Sequence, residues 1–222
     1  MSPPLFAALL LVQTGIPLDE ATLVIRADTQ EVARETFRLL SRHVTDSTSG
    51  WSLASRVRWA GSPPITLSPA FTIAPDTSPE TLEYDVAANG ASQRITGHPG
   101  PGRYTLRYVA PGVERAREVA RSGTTVIVDD SVFAPFLVAG WMAAATPRSI
   151  TAIYARTGRR ATFTITDLGM ETTTLNRDPA TLHHVVIAGG ADGSIDVWLS
   201  PEGHLMKVEI PARSLRAERL PG

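Results

Sequence analysis

Residues 182–210 read as an antiparallel meander whose turns fix where its strands begin and end. Residues 182–187 are a β-rich run, Ala191-Asp192-Gly193-Ser194 is a hairpin turn signal, and 195–199 is a strand. Ser200-Pro201-Glu202-Gly203 is a second turn and 205–210 a third strand. An Asp-Gly pair between β-branched runs is a strong short-range hairpin signal. A chain that contains such a meander is a sheet protein.

The turns also predict faces. Placing Ala191 opposite Ser194 pairs Ile187 with Trp198 and Val186 with Leu199. Pro201 and Gly203 suit a type I turn with a glycine bulge, which pairs Ser200 with His204 and Trp198 with Met206. A two-residue loop would instead pair Val197 with Met206. The first register gathers Val185, Ile187, Trp198, Met206, Val208 and Ile210 on one face, with Trp198 inward. The other face keeps Val186, Val197, Leu199 and Leu205. A sheet with one wet face alternates more cleanly, so this region is expected to be covered on both sides or to line an apolar cavity.

The rest of the chain repeats the theme. Residues 21–28 and 31–40 read as strands. From Trp51 to Trp59 apolar positions alternate with Arg56 and Arg58, giving one apolar and one cationic face. Residues 65–73 form a strand between proline-rich connectors, and Pro69 within it suggests an edge or a bulge. Asn89-Gly90 places Tyr84 opposite Ile95 and Asp85 opposite Arg94. Residues 97–102 read as a loop and 104–109 as a strand. The stretch 113–121 is ambiguous, because its charges also suit a helical face. Residues 124–128, 150–154 and 161–166 are further strands. Residues 133–145 lack charged side chains, and Pro135 suits a first helical position. This predicts a helix over about 135–145, apolar all round and therefore buried, preceded by a turn at Asp129, Asp130 and Ser131. The expected fold class is mainly β: a strongly curved antiparallel sheet or half-barrel of about ten or more strands around one buried helix.

Composition narrows the functions available. The 222 residues are 43% hydrophobic and 19% charged, with a net charge of −1. That is enough for a full core, and it provides no field for a polyanion or an acidic membrane. Nucleic acid is therefore not an expected partner. Lys207 is the only lysine among many arginines. With no cysteine, there is no disulfide framework, thiolate metal site or cysteine nucleophile. Residues 5–12 form an apolar run of signal-peptide length, with Val12 and Thr14 suited to a cleavage site, although no basic residue precedes it. This predicts export to a periplasmic or extracellular compartment, with 1–15 as leader and 16–222 as a single β-rich domain. No later run reaches the ~20 apolar residues needed to span a bilayer.

No motif carries a reaction. The histidines are His43, His98, His183, His184 and His204. His183-His184 is the only cluster, but adjacent strand residues point to opposite faces, so the pair does not make a metal site. No Gly-x-Ser-x-Gly elbow is present. Asp129 or Asp130 would have to orient a histidine for a hydrolase, whereas turn chemistry explains them more simply. The Gly97–Gly102 and Gly189–Gly193 stretches lack the setting of a phosphate loop. No cofactor is implied. What is left is an apolar aromatic set: Trp51, Trp59, Phe71, Tyr84, Phe133, Phe136, Trp141 and Trp198. These residues either pack a core or line a cavity for an acyl chain; the candidate ligand-binding residues are Trp51, Trp59, Tyr84, Phe133, Phe136, Trp141 and Trp198.

The many short strands, the single apolar helix and the sequence Ile195-Asp196-Val197-Trp198-Leu199-Ser200-Pro201-Glu202-Gly203-His204-Leu205-Met206-Lys207-Val208 resemble secreted bacterial β domains of unknown function. Those domains are similar to the periplasmic lipoprotein-carrier fold, an incomplete barrel around helices. The resemblance covers about residues 21–220. It implies binding of a lipid or lipidated protein and carries over no site residue. Three functions follow as expectations. The first is a non-catalytic exported domain that binds an apolar ligand in a half-barrel. The second is a structural or protein-interaction module with a packed interior. The third is a hydrolase pairing His183 or His184 with Asp129 or Asp130.

Overall fold

The computed structural model describes residues 15–45 and 48–221; the apolar run at 5–12 lies outside them. The chain forms strands β1 (Ile16–Ala27), β2 (Gln30–Thr45), β3 (Thr48–Trp59), β4 (Ile65–Ile73), β5 (Pro79–Ala88), β6 (Ala91–Gly100), β7 (Arg103–Ala110) and β8 (Val113–Ala120). Next come β9 (Thr125–Val128), helix α1 (Pro135–Trp141), β10 (Arg148–Tyr154), β11 (Arg159–Leu175), β12 (Asp178–Gly189), β13 (Ser194–Leu199), β14 (Leu205–Ile210) and β15 (Leu215–Arg219). Among the described residues all fifteen strands belong to one sheet, ordered from β8 back to β1, then β15 back to β9. Every pairing is antiparallel except β9 with β10. The fold class is as expected: among the described residues, one curved, mainly β sheet with one α-helix.

The sheet curls until its two ends meet through side chains. The Tyr108 hydroxyl donates to the Ala155 carbonyl at 3.1 Å. Arg117 donates to the Thr157 carbonyl at 2.9 Å. No backbone ladder joins β8 to β9, so the barrel is incomplete. Inward-facing residues of nearly every strand form a single core around α1.

Local chemistry explains most elements. Asn89 and Gly90 take φ of 53° and 75°, as a type I′ turn requires, and the register pairs Tyr84 with Ile95 and Asp85 with Arg94. The ambiguous stretch 113–121 is the edge strand β8. Its charges serve cross-strand pairs, Arg103 with Glu118 and Arg107 with Glu114 at 2.7 Å, rather than a helical face. A charged edge also resists pairing with other chains.

Four expectations need correction. The helix ends at Trp141, because Met142 and Ala143 donate back to Ala139 and Gly140 in tightened turns; six of its seven residues are buried, as foreseen. Gly97 lies within β6 rather than in a loop, and a Cβ there would stand 2.6 Å from Tyr104 Cε1. The glycine makes room for the ring. Pro69 sits in an interior strand, where the ladder between β3 and β4 lapses opposite it.

The fourth correction is Trp198. Gly189 donates to the Gly193 carbonyl at 2.6 Å, and Gly189, Gly190 and Gly193 all take positive φ. The loop is therefore longer than Asp-Gly alone suggests. Ile187 pairs with Ile195 instead of Trp198. An odd slip of this kind turns every side chain to the other face. Val197, Leu199, Leu205 and Val208 enter the core, and Trp198 lies on the outer side opposite Lys207. Ser200 does meet His204 as expected, but a bulge after Trp198 leaves Met206 unpaired.

Candidate functional site

Two places concentrate polar chemistry, one inside the barrel and one outside it. The inner one begins at Glu35, which occupies the same inward row of β2 as Ala33, Phe37 and Leu39. It is fully buried. Ser55 donates to its carboxylate at 2.6 Å, and the backbone N–H groups of Phe133 and Ala134 donate at 2.7 and 2.9 Å. Ala134 has no side chain able to cap α1. A carboxylate from a remote strand therefore satisfies N–H groups at the start of the helix that would otherwise be orphaned. Burial pushes the Glu35 carboxyl up to about 7, against the pull of its three donors.

Next to it, Arg156 Nε and Nη2 donate to Asp129 at 2.6 and 2.8 Å. Arg156 also bonds Asp130 and the Ser131 hydroxyl. Burial pushes Asp129 up despite Arg156. Burial also opposes ionisation of Asp130, yet the Arg156 charge holds it below its ordinary value. Tyr84, raised mainly by burial, feels the Asp129 charge, but its hydroxyl has no hydrogen-bond partner. The cluster fastens the turn before α1 to the wall. Its acids are committed to Arg156, Ser55 and backbone N–H groups, and among the described residues no histidine is hydrogen-bonded to it.

The aromatic set divides among different surroundings. Phe133 and Phe136 are fully buried. Trp59 donates to the Ser131 carbonyl at 3.1 Å. Trp51 meets Trp141 edge-on with centroids 6.0 Å apart, and Trp141 donates to the Gly203 carbonyl at 2.9 Å. A gap of about 20 Å³ beside Pro135 and Val138 has room for about one water. The helix fills the concavity where a ligand would have lain.

On the outer face, the Trp198 ring stacks on His184 at 3.8 Å and 8°. The two His184 nitrogens face Glu171 and Asp196, each at 2.9 Å, and His183 faces Asp167 at 3.3 Å. Neither histidine meets Asp129 or Asp130, so the geometry does not assemble the hydrolase pairing. Among the described residues no group of three or more His, Asp or Glu is placed to hold a metal.

The cover expected over this face is the far half of the β11–β12 hairpin. β11 outruns β10 after Ile165, and β12 outruns β13 before His183. The resulting arm curls across β14 and β15. Lys207, only 4% exposed, donates to the Thr173 hydroxyl and the Thr174 carbonyl, both at 3.1 Å, and pairs with Glu209 at 2.8 Å. At the tip, Asn176 donates to Glu218 at 3.2 Å and to the Arg219 carbonyl at 2.7 Å. Between arm and sheet lies a recess of about 350 Å³, walled by Leu175, Pro179, Ala180, Met206, Leu220 and Pro221. Asn176, Asp178 and Arg219 line it as well. Arg219 is engaged by Asp19 at 2.7 Å and by the carbonyls of Leu205 and Glu20. None of the candidate ligand-binding residues lines this recess, and Met206, expected on the inward face, is part of its wall.

Comparison with known proteins bears on the fold. A crystal structure of a β-barrel-like protein of domain of unknown function DUF1849 from Brucella abortus matches with a TM-score of 0.53 and 13% identity, covering 90% of this chain and 94% of that one. No family model matches, and no curated protein matches. The chain is thus similar in fold to a barrel-like β domain of unknown function. No helix among the described residues is long and apolar enough to cross a membrane.

Proposed function

We propose that this protein is a non-catalytic binding module for an apolar chain, seated in the recess beneath the arm rather than in the barrel interior. The observation that carries the reading is the recess itself. At about 350 Å³ it falls in the range of small-molecule sites, and its walls are mostly apolar. Asn176 and Arg219, the donors among its lining residues, are committed to other partners. The occupant is therefore an acyl or similar chain held by its uncharged part, with any polar head left in solvent. Export, expected from residues 5–12, belongs to the same reading, as does a lipid or lipidated protein as the source of the chain.

The test is binding of the neutral fluorophore N-phenyl-1-naphthylamine, displaced by dodecanol. Ala180→Trp, which fills the recess, should abolish the signal while leaving the thermal transition in place. Equal binding by this variant would place the ligand elsewhere. The packed interior around α1 favours a second reading, a structural or protein-interaction module. Absence of any displaceable probe binding by the parent protein would support it.

A further inference from the structure

We infer that the β11–β12 arm is a lid, which lifts as a unit about the bulge at Asp167–Gly169 to admit the apolar chain to the recess. The inference rests on the binding role proposed above and names how that site is reached.

Three observations carry it. The first is a hinge. The register between β11 and β12 shifts between Asp167 and Gly169, and Gly169 takes φ of +83° with nothing within 4 Å of where its Cβ would stand. Its N–H is turned onto the Asp167 side chain at 2.8 Å instead of into the ladder. A bulge bends a strand and loosens pairing at that point. From Glu171 on β11 to Leu182 on β12, neither strand is paired with a strand outside the arm.

The second is the nature of the latch. The arm is tied to β14 and β15 by the Asn176 and Lys207 hydrogen bonds, all of which water can replace. Most residues from Leu168 to Thr181 are exposed or half-buried. Segments with few buried apolar contacts open at free energies well below that of global unfolding.

The third is what opening would wet. Beneath the arm lie Lys207 and Glu218, both buried and charged; beside the Lys207 amine, 5.6 Å away, is the Trp198 ring, whose indole nitrogen is buried without a partner. Lifting the arm hydrates groups that gain from water, and the core around α1 stays closed. Leu182, buried near the base of the arm, is the main apolar group at risk.

Lys207 being the only lysine, its amine reports the lid. The experiment is acetylation of the full chain by an N-hydroxysuccinimide ester, with Lys207 followed by peptide mass spectrometry at rising sub-denaturing urea. Lid motion gives a rate well below that of free lysine and flat in urea up to the onset of unfolding. Asn176→Ala should raise that rate about fivefold by removing the side-chain hydrogen bond to the Arg219 carbonyl, while the backbone bond to Glu218 remains. N-phenyl-1-naphthylamine should lower the wild-type rate in proportion to occupancy, because a ligand held under the closed arm suppresses opening. A rate that rises steeply with urea throughout, as global unfolding does, overturns the lid. So does labelling at the free-lysine rate. A flat, Asn176-sensitive rate that the fluorophore leaves unchanged overturns the recess as its seat, while the arm's motion stands.

Discussion

Glu35 should make the protein less stable as pH rises from acid to neutral. Its carboxyl is raised from 4.5 to about 7, first by burial. A group whose folded pKa lies above its unfolded value binds more protons when folded. Its contribution is fully present below the unfolded pKa and is lost as pH rises through the folded one. At about 1.36 kcal/mol per pH unit, stability should fall by about 2 kcal/mol between about pH 5.5 and pH 8. The geometry admits both forms. When the carboxyl is protonated, the Ser55 hydroxyl turns from donor to acceptor, and Phe133 and Ala134 keep their acceptors. Glutamine does not fit as well. It has one acceptor oxygen for three donors, and its amide would face either the Phe133 N–H or the Ala134 N–H. Glu35→Gln should therefore cost roughly 1–3 kcal/mol where the wild type is protonated, and it should lack the titration. Urea unfolding at the two pH values measures both. The gap between wild type and variant should narrow by about 2 kcal/mol at the higher pH. A gap independent of pH would mean that Glu35 is already ionised at pH 5.5 and that its three donors outweigh burial. Should Glu35→Gln not fold, Ser55→Ala gives the same decision: loss of one donor raises the carboxyl further and steepens the pH dependence.

The remaining predictions probe other joints. Gly97→Ala, with its Cβ pressed 2.6 Å from the Tyr104 ring, should cost about 1–3 kcal/mol by overpacking, read by urea unfolding. Trp198→Ala removes a ring stacked on His184 and should cost about 3 kcal/mol or more. It should also change the near-ultraviolet circular dichroism if the stack orders that tryptophan in solution. Asp19→Ala strands the Leu205 N–H, now bonded at 2.9 Å, and releases Arg219, so a loss of about 3 kcal/mol is expected. A Tm within a degree of wild type would show that β15 holds β1 without this pair.

Elements whose turn chemistry is complete within a few residues were legible in the sequence. Asn89-Gly90 gave its hairpin and its cross-strand partners because two positive-φ residues suffice for a type I′ turn. The loop at Gly189–Gly193 did not. The Gly-Gly pair ahead of Asp192-Gly193 also takes positive φ and lengthens the loop, and the odd slip that follows exchanges Trp198 for Val197 in the core. Glu35 was legible only in part. Reading the row Ala33, Glu35, Phe37, Leu39 by twos exposes an acid in an apolar file, but nothing local points to Phe133 and Ala134, some hundred positions away. The arm was hidden for a different reason. Polar, Thr-rich strand residues from Thr166 to Thr174 look like loop to a rule that weighs burial, because the surface they cover is itself charged.

That last point bears on function. The outer face of β13–β15 carries Trp198, Lys207 and Glu218, three residues that a bare sheet surface would leave in water. An uncovered face would need no arm, and a permanently sealed one would be better filled by apolar residues, since buried charges are costly to desolvate. A charged floor beside an apolar recess, closed by a strand pair tied through replaceable hydrogen bonds, suits a surface that is alternately wet and covered. The barrel supplies the opposite property: its interior is occupied by α1 and pinned by Glu35 and Arg156. The rigid and movable parts are thus separated along the single sheet at β11, where the chain outruns its neighbour.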